Sequence, residues 1–164
     1  MGADTAIEWA DDTANFHEGC TQISPACDFC YAKERAELYK TVEWNGPPRK
    51  VKAGVTNIRL FNQRGQAAGR VRLVFINSLS DTFDKNADPA WRRECFDEIK
   101  RAPWVHALFL TKRIGNAVEM AEAAGGFPVN CSLGSTLINQ PEWDRDIEKL
   151  VAVKRAGLVE RIFV

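Results

Sequence analysis

The sequence predicts an α/β protein built on parallel strands, and three observations predict it. Short, apolar, β-branched runs begin near residues 71, 104, 129 and 160. Between them lie segments with helix-capping residues, apolar stripes of helical period, and glycine or proline stops. Polar residues then collect just past the runs, at the end where parallel α/β folds place their sites. Strands and helices in alternation give βαβ units with right-handed crossovers.

Taken in order, Ala6-Ile7-Glu8-Trp9 reads as a short first strand, followed by polar, turn-prone residues. A cysteine loop, residues 17–31, comes next. With Asp28 as N-cap, a helix is expected to about Lys40, with Tyr31, Arg35, Leu38 and Tyr39 at helical spacing. Asn45-Gly46-Pro47-Pro48 breaks the chain, and residues 63–70 read as a loop. Residues 55–61 fit a strand or a helical turn equally, so 41–70 is expected as a basic, irregular insert.

The pattern clears after Arg70. Residues 71–77 are mostly apolar and β-branched, the mark of a strand covered on both faces. Asp88 caps and Pro89 opens a helix whose Trp91, Cys95, Phe96 and Ile99 form one stripe. Lys100 and Arg101 suit its negative end, and Pro103 stops it. Trp104 to Leu110 is the next strand. A helix from about Asn116 to Ala124 closes at Gly125-Gly126, and Val129 to Gly134 is a further strand. Pro141 opens a last helix with Gly157 as its C′ residue, and Arg161-Ile162-Phe163-Val164 starts a strand.

A chain of 164 residues, 45% hydrophobic, suits one domain with a sizeable core, and zero formal charge excludes a strongly basic protein. No apolar run approaches the roughly 20 residues that cross a bilayer. Met1-Gly2-Ala3-Asp4-Thr5 lacks the basic start and apolar core of a signal peptide. An odd cysteine count without a leader points to a reducing compartment, hence a cytoplasmic location. Charge is uneven along the chain. Residues 1–30 carry −6, whereas residues 31–72 hold ten basic residues against three acidic ones. That second segment suits either contact with nucleic-acid phosphates or a solvated surface.

Cys20, Cys27 and Cys30 fall within eleven residues, spaced C-x6-C-x2-C, with no fourth cysteine or histidine close behind. Thiolates grouped this way share a soft metal. Structural zinc asks for four protein ligands, while catalytic zinc and iron–sulfur sites can leave a position open. Two metal readings stay open. One is a [4Fe–4S] cluster with an exogenous ligand on its fourth iron. The other is a zinc-stabilised binding module without catalysis, in which His17 supplies the fourth donor. The three cysteines also fit small buried hydrophobes, as do Cys95 and Cys131. Ser80 and Asp81 suit a turn or cap as well as a site. Lys112 and Arg113 suit a solvated strand end as well as a ligand contact. His106 and the tryptophans at 9, 91 and 104 are expected in the core, whereas Trp44 flanks the basic segment and suits stacking on a base.

At Ile7-Glu8-Trp9, the stretch from Gly19 to Ala32, Phe75 to Asp81, Arg101-Ala102-Pro103-Trp104, Leu110 to Arg113 and Leu133-Gly134, the chain resembles a phage-associated three-cysteine family of unknown function. That family is similar to radical S-adenosylmethionine enzymes, although their usual spacing is C-x3-C-x2-C. The resemblance implies one partial (β/α) barrel domain over 1–164, with Cys20, Cys27 and Cys30 on a [4Fe–4S] cluster and S-adenosylmethionine on the fourth iron. Candidate cofactor-binding residues are then Asn77, Ser78, Ser80, Asp81, Thr111, Lys112 and Arg113, and no catalytic residue is assigned. A nucleic acid or nucleotide substrate and a bacterial or phage-infected cell follow from the same resemblance. Radical-type barrels usually carry six strands, and five are counted here. A fragment, or a protein partner covering the edge at Ile162-Phe163-Val164, is therefore expected.

Overall fold

The computed structural model describes residues 4–164. The reading of the start as no signal peptide rests partly on residues 1–3, which lie outside the described residues. In chain order the elements are β1 (Asp12–Ala14), β2 (His17–Glu18), α1 (Tyr31–Tyr39), β3 (Arg49–Lys50), α2 (Ala53–Ala68) and β4 (Arg72–Ile76). Then follow α3 (Pro89–Lys100), β5 (Val105–Thr111), α4 (Ile114–Ala123), β6 (Cys131–Ser135), α5 (Gln140–Arg155) and β7 (Arg161–Phe163). Five strands form one sheet in the order β1-β4-β5-β6-β7, with every neighbouring pair parallel. β2 and β3 make a separate antiparallel ribbon, pairing His17 with Lys50 and Glu18 with Arg49.

Alternation along the strands sorts two faces. Val74, Ile76, Val105, Ala107, Phe109 and Leu133 join the main core with Ile58 and Phe61 of α2, Phe96 and Ile99 of α3, Ala117 of α4 and Leu150 of α5. The other face is thinner: Ala10, Phe75 and Leu108 pack with Ile7, Leu110 and Phe163. Leu73 on that side is 40% exposed, so β4 is fully covered on its helix side alone. The expected cover on both faces is not complete because helices pack on one side and only the segment near Ile7 and Trp9 lies on the other.

The strands from residue 72 onward, and their helices, lie where their patterns place them. Asp88 accepts from the Ala90 N–H as N-cap of α3, with Pro89 in its first turn. Gly157 follows the last turn of α5 at a left-handed φ of 69°. Three expectations are corrected. The first strand is not residues 6–9 but the polar run Asp12–Ala14. Asp12 is fully buried there because Arg72 on the neighbouring strand meets both its oxygens, at 2.5 and 3.0 Å. Residues 53–68, inside the expected irregular insert, form α2. Its glycines mark close approaches, not loops: a Cβ on Gly54 would come 2.8 Å from the Asn15 carbonyl, and one on Gly65 2.7 Å from the Trp104 carbonyl. Finally, α1 is capped by Cys30, not Asp28, which ends the short 3₁₀ turn Pro25–Cys27.

Candidate active site

The strand ends build a rim. After β4 the chain turns sharply at Asn77, held at φ 57°, a left-handed value that asparagine tolerates. The Asn77 side chain accepts from the Phe16 N–H (2.8 Å) and donates to Thr82 Oγ1 (3.0 Å), which binds the β4 end to the segment after β1. Ser78 exchanges hydrogen bonds with Asn15, and Ser80 donates to the His17 carbonyl at 2.9 Å. β5 ends in Thr111-Lys112-Arg113 and β6 in Ser135-Thr136.

The cysteine loop sits over this rim. Ser24 accepts from the Ala26 N–H and starts the 3₁₀ turn that carries Cys27, and Cys30 opens α1. Cys20, Cys27 and Cys30 line one cavity of about 300 Å³ together with Asn77, Ser78, Ser80, Asp81, Lys112 and Arg113. Thr111 is the one predicted site residue that does not line it. Phe75, Leu110 and Trp9 add apolar wall, and Trp44 borders it as well. Tyr31 also lines it and donates its hydroxyl to the Ser78 carbonyl.

The rim residues divide into those that brace the site and those free to meet a ligand. Asp81, 6% exposed, accepts from the N–H groups of Phe83 (2.9 Å) and Lys112 (3.0 Å), from the Thr111 hydroxyl (2.8 Å) and from Arg113 Nη1 (3.1 Å). Its oxygens are committed, as is the Thr111 hydroxyl. Arg113 is equally committed. Its guanidinium reaches Asp81, Asp84 Oδ2 (3.2 Å), the Thr21 carbonyl and Cys20 Sγ (3.4 Å). Burial works against this cation, but the charges of Asp81, Cys20 and Asp84 outweigh it and hold its pKa above the usual arginine value. Asp81, Thr111 and Arg113 thus brace the rim through one another, Asp81 and Arg113 at the cavity lining and Thr111 behind it. Lys112 differs, since its ammonium makes no ion pair among the described residues. Thr136 is a residue that the sequence reading does not single out. Among the described residues its buried hydroxyl finds no hydrogen-bond partner, and Thr136 is part of the cavity lining. Its place directly after β6 was the available signal.

All five cysteines are free thiols. Burial, reinforced by the Asp81 charge, pushes the Cys20 thiol up to about 12, with Arg113 pulling the other way. Among the described residues, no group of three or more His, Cys, Asp or Glu side chains is gathered closely enough to hold a metal ion. The donor set suits a soft metal in kind, with three thiols around one cavity, but the sulfurs do not converge on one point. His17 does not supply a fourth donor. It lies in β2, 3% exposed, off the cavity lining, with Nε2 3.3 Å from the Asp81 carbonyl and its ring 6.0 Å from Trp91. Both ends of the loop are tied through Glu18. This buried carboxylate directly precedes Gly19 and accepts from Arg35 of α1 (3.1 Å), Thr41 (2.6 Å) and Arg49 (2.6 Å).

The charge asymmetry resolves within the chain. Seven of the ten basic residues in 31–72 form ion pairs: Arg35 and Arg49 with Glu18, Lys50 with Glu94, Arg59 with Glu98, Arg64 with Asp4, Arg70 with Asp11 and Arg72 with Asp12. Cys95 and Cys131 are fully buried, as expected of packing thiols. His106 is satisfied by Ser132 Oγ at 2.8 Å and faces Glu160. Trp9 departs from its expected core place: it is 44% exposed and packs on Phe75 with ring centroids 4.8 Å apart. The helical spacing in α1 buries Ala32 and Ala36, while Leu38 and Tyr39 face outward and Tyr31 is half-exposed at the cavity edge.

A family model described as "Protein of unknown function (DUF5131)" matches residues 4–158. No curated protein matches the chain. Among solved structures the chain is similar to a spore photoproduct lyase mutant with bound AdoMet and dinucleoside spore photoproduct, at TM-score 0.66 and 12% sequence identity. The alignment covers 99% of this chain and 47% of that one, so the chain spans about half the length of that protein. At such identity the likeness shows the fold alone, a radical-SAM-like partial (β/α) barrel. Among the described residues no helix is long and apolar enough to cross a membrane.

Proposed function

The chain belongs to the DUF5131 family of unknown function, and from that premise we propose that it is an iron–sulfur protein of the radical S-adenosylmethionine type acting on a nucleic acid or nucleotide. One observation carries the reading. Three free thiols line a single cavity at the C-terminal mouth of a parallel sheet, beside a cation without an ion pair and a hydroxyl without a hydrogen bond among the described residues. Cys20, Cys27 and Cys30 would hold a [4Fe–4S] cluster, which when bound supplies the electron for cleaving the sulfonium of S-adenosylmethionine.

The chain's own part is binding, orientation and exclusion of water. Lys112 and Thr136 suit the carboxylate of an amino-acid moiety, one by charge and the other by a hydroxyl with no competing bond among the described residues. Ser80 keeps lone pairs open toward an amino group while it donates to the His17 carbonyl. Asp81, Thr111 and Arg113 keep the rim rigid. Phe75, Leu110 and Trp9 limit water at the cavity wall. For the substrate, Trp44 at the cavity edge offers a stacking face. The dinucleoside in the similar lyase structure points the same way. A bacterial or phage-infected cell as its setting belongs to the same proposal.

The test is anaerobic reconstitution with ferrous iron and sulfide, followed by iron, sulfide and zinc analysis of the wild type and Cys27→Ala. A brown protein that loses its colour and iron in Cys27→Ala supports the reading. A colourless protein with stoichiometric zinc overturns it in favour of a zinc-stabilised binding module. Release of 5′-deoxyadenosine then separates an enzyme from a non-turning partner subunit.

A further inference from the structure

We propose that Arg113 is the positioning residue of the cysteine site: its guanidinium pins Cys20 to the rim of the sheet, making Cys20 the fixed donor onto which the Cys27–Cys30 turn closes. The inference rests on the reading of the three cysteines as metal ligands. The two halves of the loop are held very differently. At the near half, the Gly19 N–H donates to the Leu79 carbonyl (3.2 Å), the Thr21 N–H donates to Asp84 Oδ2 (2.8 Å), and Asn86 donates to Thr21 Oγ1 (2.9 Å). Arg113, whose side chain is 7% exposed, closes that half. It contacts Cys20 Sγ and the Thr21 carbonyl on the loop, and Asp81 and Asp84 on the rim.

Between the two fastened ends, residues 23–29 have only local ties, and the next tie to the rim is the Tyr31 hydroxyl on the Ser78 carbonyl. The Cys27 N–H returns to the Ser24 carbonyl, the Asp28 N–H to Pro25, and the Ala26 N–H to Ser24 Oγ, while Gln22 reaches Asp28. Among the described residues, no hydrogen bond joins residues 23–29 to the strand ends, and Phe29 is 93% exposed. The loop is thus fastened at residues 19–22 and again at Tyr31, with the segment carrying Cys27 free of the rim between them, which accounts for three thiols that share a cavity without converging. Arginine suits the fastening because its planar fork serves several acceptors at once, and lysine would reach fewer.

Hydrogen exchange by mass spectrometry on the metal-free full chain tests the fastening, and iron content after anaerobic reconstitution tests its use. In Arg113→Gln, residues 19–22 are expected to exchange about tenfold faster while the strands keep wild-type protection. Retained iron should fall about tenfold. In the wild type, iron should slow exchange at 23–29 and change 19–22 little. Should Arg113→Gln fail to melt cooperatively, Arg113→Lys, which keeps the charge but reaches fewer acceptors, should loosen 19–22 in the same direction. Wild-type protection at 19–22, wild-type iron retention in the variant, or protection gained at 19–22 instead of 23–29 would overturn the proposal. A wild type that takes up no iron sinks the metal reading itself, and the exchange of the metal-free variant still decides the clasp.

Discussion

Asp81→Ala is the substitution that most directly probes the rim. It removes the acceptor of four donors: the Phe83 and Lys112 N–H groups, the Thr111 hydroxyl and Arg113 Nη1. Each neutral donor left buried without a partner costs about 1–3 kcal/mol. Breaking one leg of a buried ion pair costs about 3–5 kcal/mol. These costs overlap, since Arg113 keeps Asp84 and the small side chain admits water, so the expected total is about 5 kcal/mol. That approaches the whole stability of a small domain, about 5–15 kcal/mol. Asp81→Asn keeps the shape and one acceptor oxygen and should cost about half as much. Ser80→Ala is the contrast: it loses one half-exposed bond to the His17 carbonyl and should cost about 1 kcal/mol. Urea unfolding at neutral pH, followed by far-UV circular dichroism, gives all three. An Asp81→Ala cost below about 1 kcal/mol would refute the view that this carboxylate organises the rim.

Two further outcomes follow from single side chains. Burial pushes the His17 pKa down to about 4, so on acidification the unfolded chain takes up a proton near 6.5 while the folded chain resists until about 4. Stability should fall through that window by up to about 3 kcal/mol, and His17→Asn should remove that slope; parallel urea midpoints for both chains across the window would disprove it. Gly65→Ala sets a Cβ 2.7 Å from the Trp104 carbonyl and 2.9 Å from that of Arg70, both backbone atoms, and should cost about 1–3 kcal/mol. Gly69→Ala meets nothing within 4 Å and bears only the strain of φ +64°, about 1 kcal/mol, so thermal melts should rank Gly65→Ala as the less stable.

What the sequence made legible was whatever local chemistry specifies. The apolar runs of β4, β5 and β6, the Asp88 cap with Pro89, and Gly157 after α5 carry their own signals. β1 was illegible because Asp12 looks like a turn residue until Arg72, sixty positions on, supplies the partner that lets it be buried. α2 was illegible because Gly54 and Gly65 serve contacts with distant carbonyls, which no local pattern encodes. At the site, residue types and place were readable: three cysteines on one loop, polar residues at strand ends. Which of those polar groups are engaged was not. Asp81 and Arg113 could pair only once the loops after β4 and β5 met, and that pairing engages two of the cavity's charged groups while Lys112, beside them on the lining, makes no ion pair among the described residues.

Glu18 and Arg35 stand at opposite feet of the cysteine loop, 3.1 Å apart, so one ion pair draws the arch shut from below. Where the feet are nailed, the length of the span matters little: doubling it costs about 0.6 kcal/mol in chain entropy. Six residues between Cys20 and Cys27, instead of the usual three, therefore lengthen the arch without moving its footings. Homologous chains should tolerate insertions between Thr21 and Ser24 far more readily than any change at Glu18, Arg35 or Thr41.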